Sequence, residues 1–111
     1  MFALTKHFPD NLILGQEIRD KVANFVAEKA NTIRINSGYK ECQNVSVVRT
    51  NTMKTVHNYF EKESVEKMFI CFADPHFKRV NHRRRIISQF LLTDYAYILK
   101  TGGRIYEVTD V

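Results

Sequence analysis

The chain has 111 residues, 44% hydrophobic and 26% charged, a globular composition that excludes a disordered tail or a fibrous repeat and sets one domain, 1–111, as the ceiling. Lys and Arg number 17 against 12 Asp and Glu, so the net charge is +5 with the four histidines neutral, and an anionic partner is favoured. The longest apolar run, Phe90-Leu91-Leu92, is far too short to span a bilayer, and Met1 to Lys6 lack the apolar centre of a secretory signal. The chain therefore reads as soluble and intracellular.

In chain order, Asn11 to Gly15 is a short apolar run after Pro9-Asp10, bounded like a buried strand. From Ile18 the period changes: Ile18, Val22, Phe25, Val26, Ala30 and Ile33 follow steps of three and four, opposite Asp20, Lys21, Glu28 and Lys29. That pattern predicts an amphipathic helix, stopped by Asn36-Ser37-Gly38. Asn44 to Thr50 carries Val45, Val47 and Val48 and suits a strand. Asn51-Thr52 opens a short helix over Met53 to Tyr59. Lys67 to Phe72 is the most hydrophobic strand candidate, ended by Ala73-Asp74-Pro75, because proline cannot continue a central ladder. Ile86, Ile87, Phe90, Leu91, Tyr95, Ile98 and Leu99 then form the cleanest helical stripe, with Gly102-Gly103 placed to cap it and Arg104 to Thr109 as a last strand. The order β-α-β-α-β-α-β predicts a parallel α/β sheet with ligands at the carboxyl ends of its strands.

Cys42 and Cys71 belong to no CxxC or CxxH pattern, so neither a zinc site nor a disulfide scaffold is expected, and Cys71 is read as a buried small hydrophobe. His76 and His82 are not at helical metal-pair spacing, and His7 and His57 are assigned no chemistry.

At the strand ends stand Gln16-Glu17, Asn51-Thr52, Asp74 and Asp110. Glu17 occupies the place where doubly wound folds put a carboxylate that accepts from a ribose diol. Periodicity alone favours the alternative, a solvated carboxylate in the first turn of a helix. Asn51 can read an adenine edge through its amide, or cap the following helix, and local pattern favours the cap. Asp74, between an apolar strand and a proline, suits substrate orientation, with a turn-forming Asp-Pro as the alternative. Beyond it, Lys78, Arg79, Arg83, Arg84 and Arg85 crowd a stretch without one acidic residue, accompanied by His76, Phe77 and His82. Such cations repel one another unless an anion neutralises them, and phosphate is the natural one. Phe77 offers either a base-stacking surface or a core side chain.

At Asp74-Pro75-His76-Phe77-Lys78-Arg79 the sequence resembles the tRNA guanine-N7 methyltransferases, in particular their eukaryotic branch, whose motif reads Pro-Asp-Pro-His-Phe-Lys. Leu12 to Arg19 is similar to that family's second strand, and Val48 to Lys54 to its adenine-binding turn. Arg85 to Ser88 and Leu92 to Tyr97 resemble its later crossover, and Gly102 to Tyr106 with Thr109 to Val111 continue the match, so the whole chain is covered. The resemblance implies a Rossmann-like class I S-adenosylmethionine-dependent methyltransferase core with a mostly parallel sheet. It implies S-adenosylmethionine as donor, with Glu17 and Ile18 at the ribose and Asn51 and Thr52 at the adenine. Asp74 is placed at the reacting centre, and His76, Lys78, Arg79, Arg83, Arg84 and Arg85 face tRNA. It further implies a guanine in the tRNA variable loop as the methylated base, a WD-repeat non-catalytic subunit as partner, and a nuclear location with the cytoplasm as the alternative.

Two departures accompany the resemblance. Ala73 stands where the family motif has proline, which relaxes the backbone before Asp74. In the family a strand and a glycine-rich loop precede Leu4 to Asp10, and a helix and an antiparallel strand pair follow the residues matching Val111. A chain lacking the first strand and the C-terminal strands is expected to be a partial domain, its parallel sheet divided into two half-sheets with unpaired inner edges. The competing reading is a non-catalytic RNA- or partner-binding module that keeps the basic surface. A nucleotide-dependent oxidoreductase shares the Glu17 position but gives no reason for Asp74 to Arg79.

Overall fold

The computed structural model describes residues 1–111, which form two compact units, Met1–Thr52 and Met53–Val111. Each is built on one parallel strand pair, so the chain carries two two-stranded sheets. That is the divided parallel arrangement the resemblance implies, and each strand keeps one edge without a ladder partner in its sheet.

The first unit begins with a short helix, α1 (Phe2–His7), followed by β1 (Ile13–Glu17), α2 (Asp20–Asn36) and β2 (Val45–Arg49). β1 and β2 run parallel in unbroken register from Ile13 opposite Val45 to Glu17 opposite Arg49, with α2 as the crossover that such pairing requires. The sequence pattern locates β1 two residues early and does not anticipate α1, whose six residues are too few to establish a period. α2 buries Ala23 and Ala30, whereas Phe25 is 64% exposed although it falls on the expected apolar stripe.

Ala30, Cys42 and Val45 form the core of this unit, with Phe2, Ile13 and Ile33 packed around them. So small a core leaves much to polar ties. Arg34, near the end of α2, donates from Nε to the Cys42 carbonyl (2.8 Å), from Nη1 to Asn31 Oδ1 (3.1 Å), and from Nη2 to the Val45 carbonyl. Asn44 Nδ2 donates to the carbonyls of Phe8 and Asn11, each at 2.9 Å, which fixes the entry to β1 against the entry to β2.

The second unit contains α3 (Thr52–Tyr59, its first residue being the last of the first unit), β3 (Val65–Cys71), a 3₁₀ turn (Arg79–Arg84), α4 (Gln89–Ile98) and β4 (Leu99–Val108). Val56, Ile70, Leu91, Tyr95 and Ile98 make its core, and Ile86, Ile87 and Ile105 pack against them. Ile86 and Ile87 therefore serve the core from outside the helix. α4 starts only at Gln89, where the Ser88 hydroxyl caps it by accepting from the Leu91 N–H at 3.2 Å. Phe90, assigned by periodicity to the same stripe, is 83% exposed.

Gly102-Gly103 does not cap α4. The helix ends at Ile98 and passes directly into β4, and the glycines lie inside that strand. Pairing shifts there from Val65 opposite Leu99 to Lys67 opposite Arg104, so β4 bulges between the two registers. Gly102 has φ +81°, and a Cβ on Gly103 would stand 2.8 Å from the Lys100 carbonyl oxygen, so both positions demand glycine. Cys71 is exposed rather than buried. It alternates with buried Ile70 and lies on the face that carries Phe69, whose ring stacks on Tyr106 at 4.9 Å. No helix is long and apolar enough to cross a membrane.

Two stability outcomes follow from these packing arrangements. Arg34→Ala removes the donors to two carbonyls and should cost roughly 2–4 kcal/mol; a urea midpoint equal to that of the unsubstituted chain would show that α2 is held by its apolar stripe alone. Tyr95, with none of its surface exposed, donates its hydroxyl to the Ile86 carbonyl at 2.7 Å. Burial, with a smaller contribution from the Asp94 charge, pushes its phenol up to about 12. The unfolded phenol releases its proton near pH 10, so the stabilisation is complete below pH 10 and is lost as pH rises towards 12. Tyr95→Phe should lower the melting temperature at neutral pH and flatten its decline in that alkaline window.

Candidate functional site

Because β1 and β2 are parallel, the residues that follow each strand emerge at the same end of the sheet. The Thr50 N–H donates to the Glu17 carbonyl at 3.0 Å and extends the ladder past the last paired residues. Glu17-Ile18 and Asn51-Thr52 thus lie at adjoining carboxyl ends within one unit. Ile18 is 52% exposed, and its carbonyl accepts from Arg49 Nε at 3.0 Å; Asn51 and Thr52 are half-buried.

Glu17 is not merely solvated. Arg19 donates to it from the backbone N–H and from Nε, both to Oε1 at 3.0 Å, and from Nη2 to Oε2 at 3.1 Å. Chiefly through the hydrogen bonds from the Arg19 side chain, its carboxyl lies below the ordinary carboxylate range. The carboxylate is therefore ionised and oriented at neutral pH. Gln16 completes this end: its Oε1 accepts from the Thr52 hydroxyl at 2.7 Å, and its Nε2 is buried without a partner. Sequence reasoning singled out neither Arg19 nor Gln16 for a role, although an arginine two residues after the carboxylate was a readable signal.

A strand-end carboxylate held ionised and oriented, with lone pairs left beyond those that Arg19 uses, offers the acceptors that the hydroxyls of a ribose need. Glu17 therefore fits the ribose of the cofactor implied by the resemblance.

In the second unit, β3 leads into a corner at Asp74. The Phe72 N–H donates to the Val108 carbonyl at 2.7 Å, the last tie to β4. Phe72 and His76, at φ +53° and +48°, both occupy the left-handed region that non-glycine residues enter at a cost. Asp74 Oδ1 accepts from the His76 N–H at 2.8 Å, an Asx turn, and Oδ2 lies 3.8 Å from His76 Nδ1. The carboxylate is 70% exposed and open to a further donor. The turn-forming reading of Asp-Pro and the orienting one are thus compatible, since one oxygen shapes the corner while the side chain stays largely exposed.

The basic stretch separates into two kinds of residue. Lys78, Arg79, Arg83 and Arg84 are exposed on and around the 3₁₀ turn, with Phe77 and Val80 each 73% exposed between them. Phe77 is thus no core residue. Arg85 is half-buried, donating from Nε to the Pro75 carbonyl at 2.6 Å and placing Nη2 3.1 Å from His82 Nε2. His57, given no chemistry by the sequence, pairs with Asp94 at 3.3 Å between α3 and α4.

The chain is matched over residues 1–111 by a family model described as "Putative methyltransferase". It is 52% identical over its whole length to the tRNA (guanine-N(7)-)-methyltransferase of Arabidopsis thaliana, covering 44% of that protein. It is likewise 52% identical to that of Eremothecium gossypii, covering 40%, and 50% identical to that of Oryza sativa subsp. indica, covering 42%. The chain thus spans less than half the length of these curated relatives. A model matched from the first residue to the last shows that this chain belongs to that "Putative methyltransferase" family.

Proposed function

We propose that this chain forms the central part of an enzyme that methylates N7 of a guanine in the tRNA variable loop. The observation that carries the reading is the parallel register of β1 and β2, which brings Glu17-Ile18 and Asn51-Thr52 to one sheet end. The names of the relatives support the substrate. In this reading Glu17 accepts from the ribose diol beside Ile18, and Asn51 and Thr52 line the adenine. S-adenosylmethionine supplies a methyl group activated by its sulfonium. Guanine N7 already carries a free lone pair near neutral pH, so the reaction needs alignment more than a general base. Asp74 accepts from the ring or exocyclic N–H of the guanine through its exposed carboxylate and fixes the plane of the base. His76, Lys78, Arg79, Arg83 and Arg84 face the tRNA, where the cations contact phosphates without reading sequence. A WD-repeat subunit that helps to hold the tRNA, and a nuclear location, belong to the same proposal.

The exposure of Lys78, Arg79, Arg83 and Arg84, none of them in an ion pair, also suits a non-catalytic RNA-binding module. The two readings part in a chimera in which residues 1–111 replace the matched segment of the Arabidopsis relative. Transfer of a labelled methyl group to guanine N7 of tRNA is expected. It should be abolished by Asp74→Ala, with cofactor affinity changed by no more than about twofold, because the residue is assigned to the base and not to the donor. A chimera that binds tRNA and transfers nothing would establish the binding module instead.

Glu17→Gln in the same chimera should weaken S-adenosylmethionine binding roughly ten- to a hundredfold, the worth of a charged acceptor. Calorimetric titration checks it. An unchanged affinity would return Glu17 to the role of a first-turn carboxylate.

A further inference from the structure

The corner at Asp74 requires support from beyond its own residues. Two left-handed residues, Phe72 and His76, flank it, and such conformations persist only where surrounding contacts over-determine them. Ala73 packs on the core and holds the entry to the loop, but proline at 75 provides no N–H and Asp74 itself is 70% exposed, so packing does not hold the corner beyond Ala73. What does tie it is Arg85, ten residues on, whose Nε donates to the Pro75 carbonyl at 2.6 Å. Its other end is fixed as well. Arg85 Nη2 lies 3.1 Å from His82 Nε2, a nitrogen that accepts from it in one tautomer and in the other donates to the Phe77 carbonyl 3.2 Å away, and the Arg85 N–H donates to the His82 carbonyl at 3.1 Å. Ile86, the next residue, packs on the core, and its carbonyl accepts from Tyr95. The guanidinium therefore connects the buried end of the basic stretch to the exposed carboxylate corner.

We propose that Arg85 is a positioning residue, which sets the orientation of Asp74 through the Pro75 carbonyl and does not contact phosphate as its neighbours Arg83 and Arg84 do. This rests on the proposed role of Asp74, but its structural content stands apart from methyl transfer. A planar fork that donates to a carbonyl and a ring nitrogen at once is suited to arginine, whereas a lysine ammonium can restore the carbonyl bond alone.

The test is amide hydrogen exchange by NMR on the ¹⁵N-labelled 111-residue chain. It is read at His76, whose N–H donates to Asp74, and at Met68 and Ile70 in β3 as reporters of the unit as a whole. Arg85→Ala is expected to speed exchange at His76 roughly ten- to a hundredfold while leaving the β3 amides within about twofold. Arg85→Lys should recover most of that protection. In tRNA binding across a salt series, Arg85→Ala should leave the slope of log affinity against log salt unchanged, whereas Arg83→Ala with Arg84→Ala should lower it by about 0.9 for each phosphate no longer neutralised. An unchanged His76 amide overturns the proposal, as does opening of the β3 amides to the same degree, failure of Arg85→Lys to recover protection, or a lower salt slope in Arg85→Ala. If the chain binds no tRNA at all, the reading of the basic surface fails and the exchange measurements alone decide Arg85.

Discussion

Parallel strand pairing is the constraint from which the placement of every candidate residue follows. Two strands running the same way cannot be joined by a tight turn, so α2 must carry the chain from the end of β1 back to the start of β2. The loops after both strands then open on one end of the sheet, where the backbone has left the ladder. The same rule operates in the second unit, where β3 and β4 finish together at Cys71 opposite Val108 and the Asp74 corner begins one residue past the last ladder bond. Glu17 and Asp74 are thus products of the same geometry in different units. Each follows a parallel strand, and each has an oxygen already committed to a donor two residues on, the Arg19 N–H for Glu17 and the His76 N–H for Asp74.

Units of this size bury little, and arginines make up part of the difference. Arg34 in the first unit and Arg85 in the second donate to backbone carbonyls rather than pairing with carboxylates. Such bonds join a charged donor to a neutral acceptor and are stronger than neutral pairs, while leaving the cation's charge uncompensated. A net charge of +5 therefore does not measure the surface offered to a ligand. Arg34 and Arg85 serve the backbone, Arg19 is bound to Glu17, and Arg49 reaches Asp20 at 3.1 Å. The cations that remain exposed and outside ion pairs on the 3₁₀ turn belong to one local stretch, and that concentration, more than the total, recommends a polyanion.

The alternation of strands and helices was legible because apolar period and β-branching speak for segments of five residues or more. All four strands lie where the pattern places them, give or take a few residues, and the resemblance foresaw their division into two pairs. What escaped was anything decided by a single contact. Gly102-Gly103 has the chemistry of a helix cap, and only the pairing shift opposite Val65 and Lys67 reveals that the same permissive backbone serves a bulge. Cys71 and Phe90 obey the local pattern of their elements yet stand exposed, because hydrophobic period names a face and not the neighbour that would cover it. At the candidate site the residue types were visible, and their commitments were not. Arg85 reads as one more cation in a run until its bond to Pro75 is seen.

Glu17 and Asp74 are held in different ways, and each way suits a different kind of partner. Three bonds from Arg19 use both oxygens of Glu17 and draw its carboxyl below the usual range, so it presents a fixed, fully ionised acceptor whose remaining lone pairs set the direction of approach. That suits a small diol, which needs two acceptors in a defined orientation and brings no charge of its own. Asp74 gives one oxygen to a turn and places the other 3.8 Å from His76 Nδ1 while its side chain stays 70% exposed, so its orientation depends on the shape of the loop. An exposed acceptor on a backbone-defined corner can meet a large planar base arriving from solvent, provided that the corner does not relax. Because the flanking left-handed residues favour relaxation, the fidelity of that acceptor depends on the ties between Pro75, His82 and Arg85.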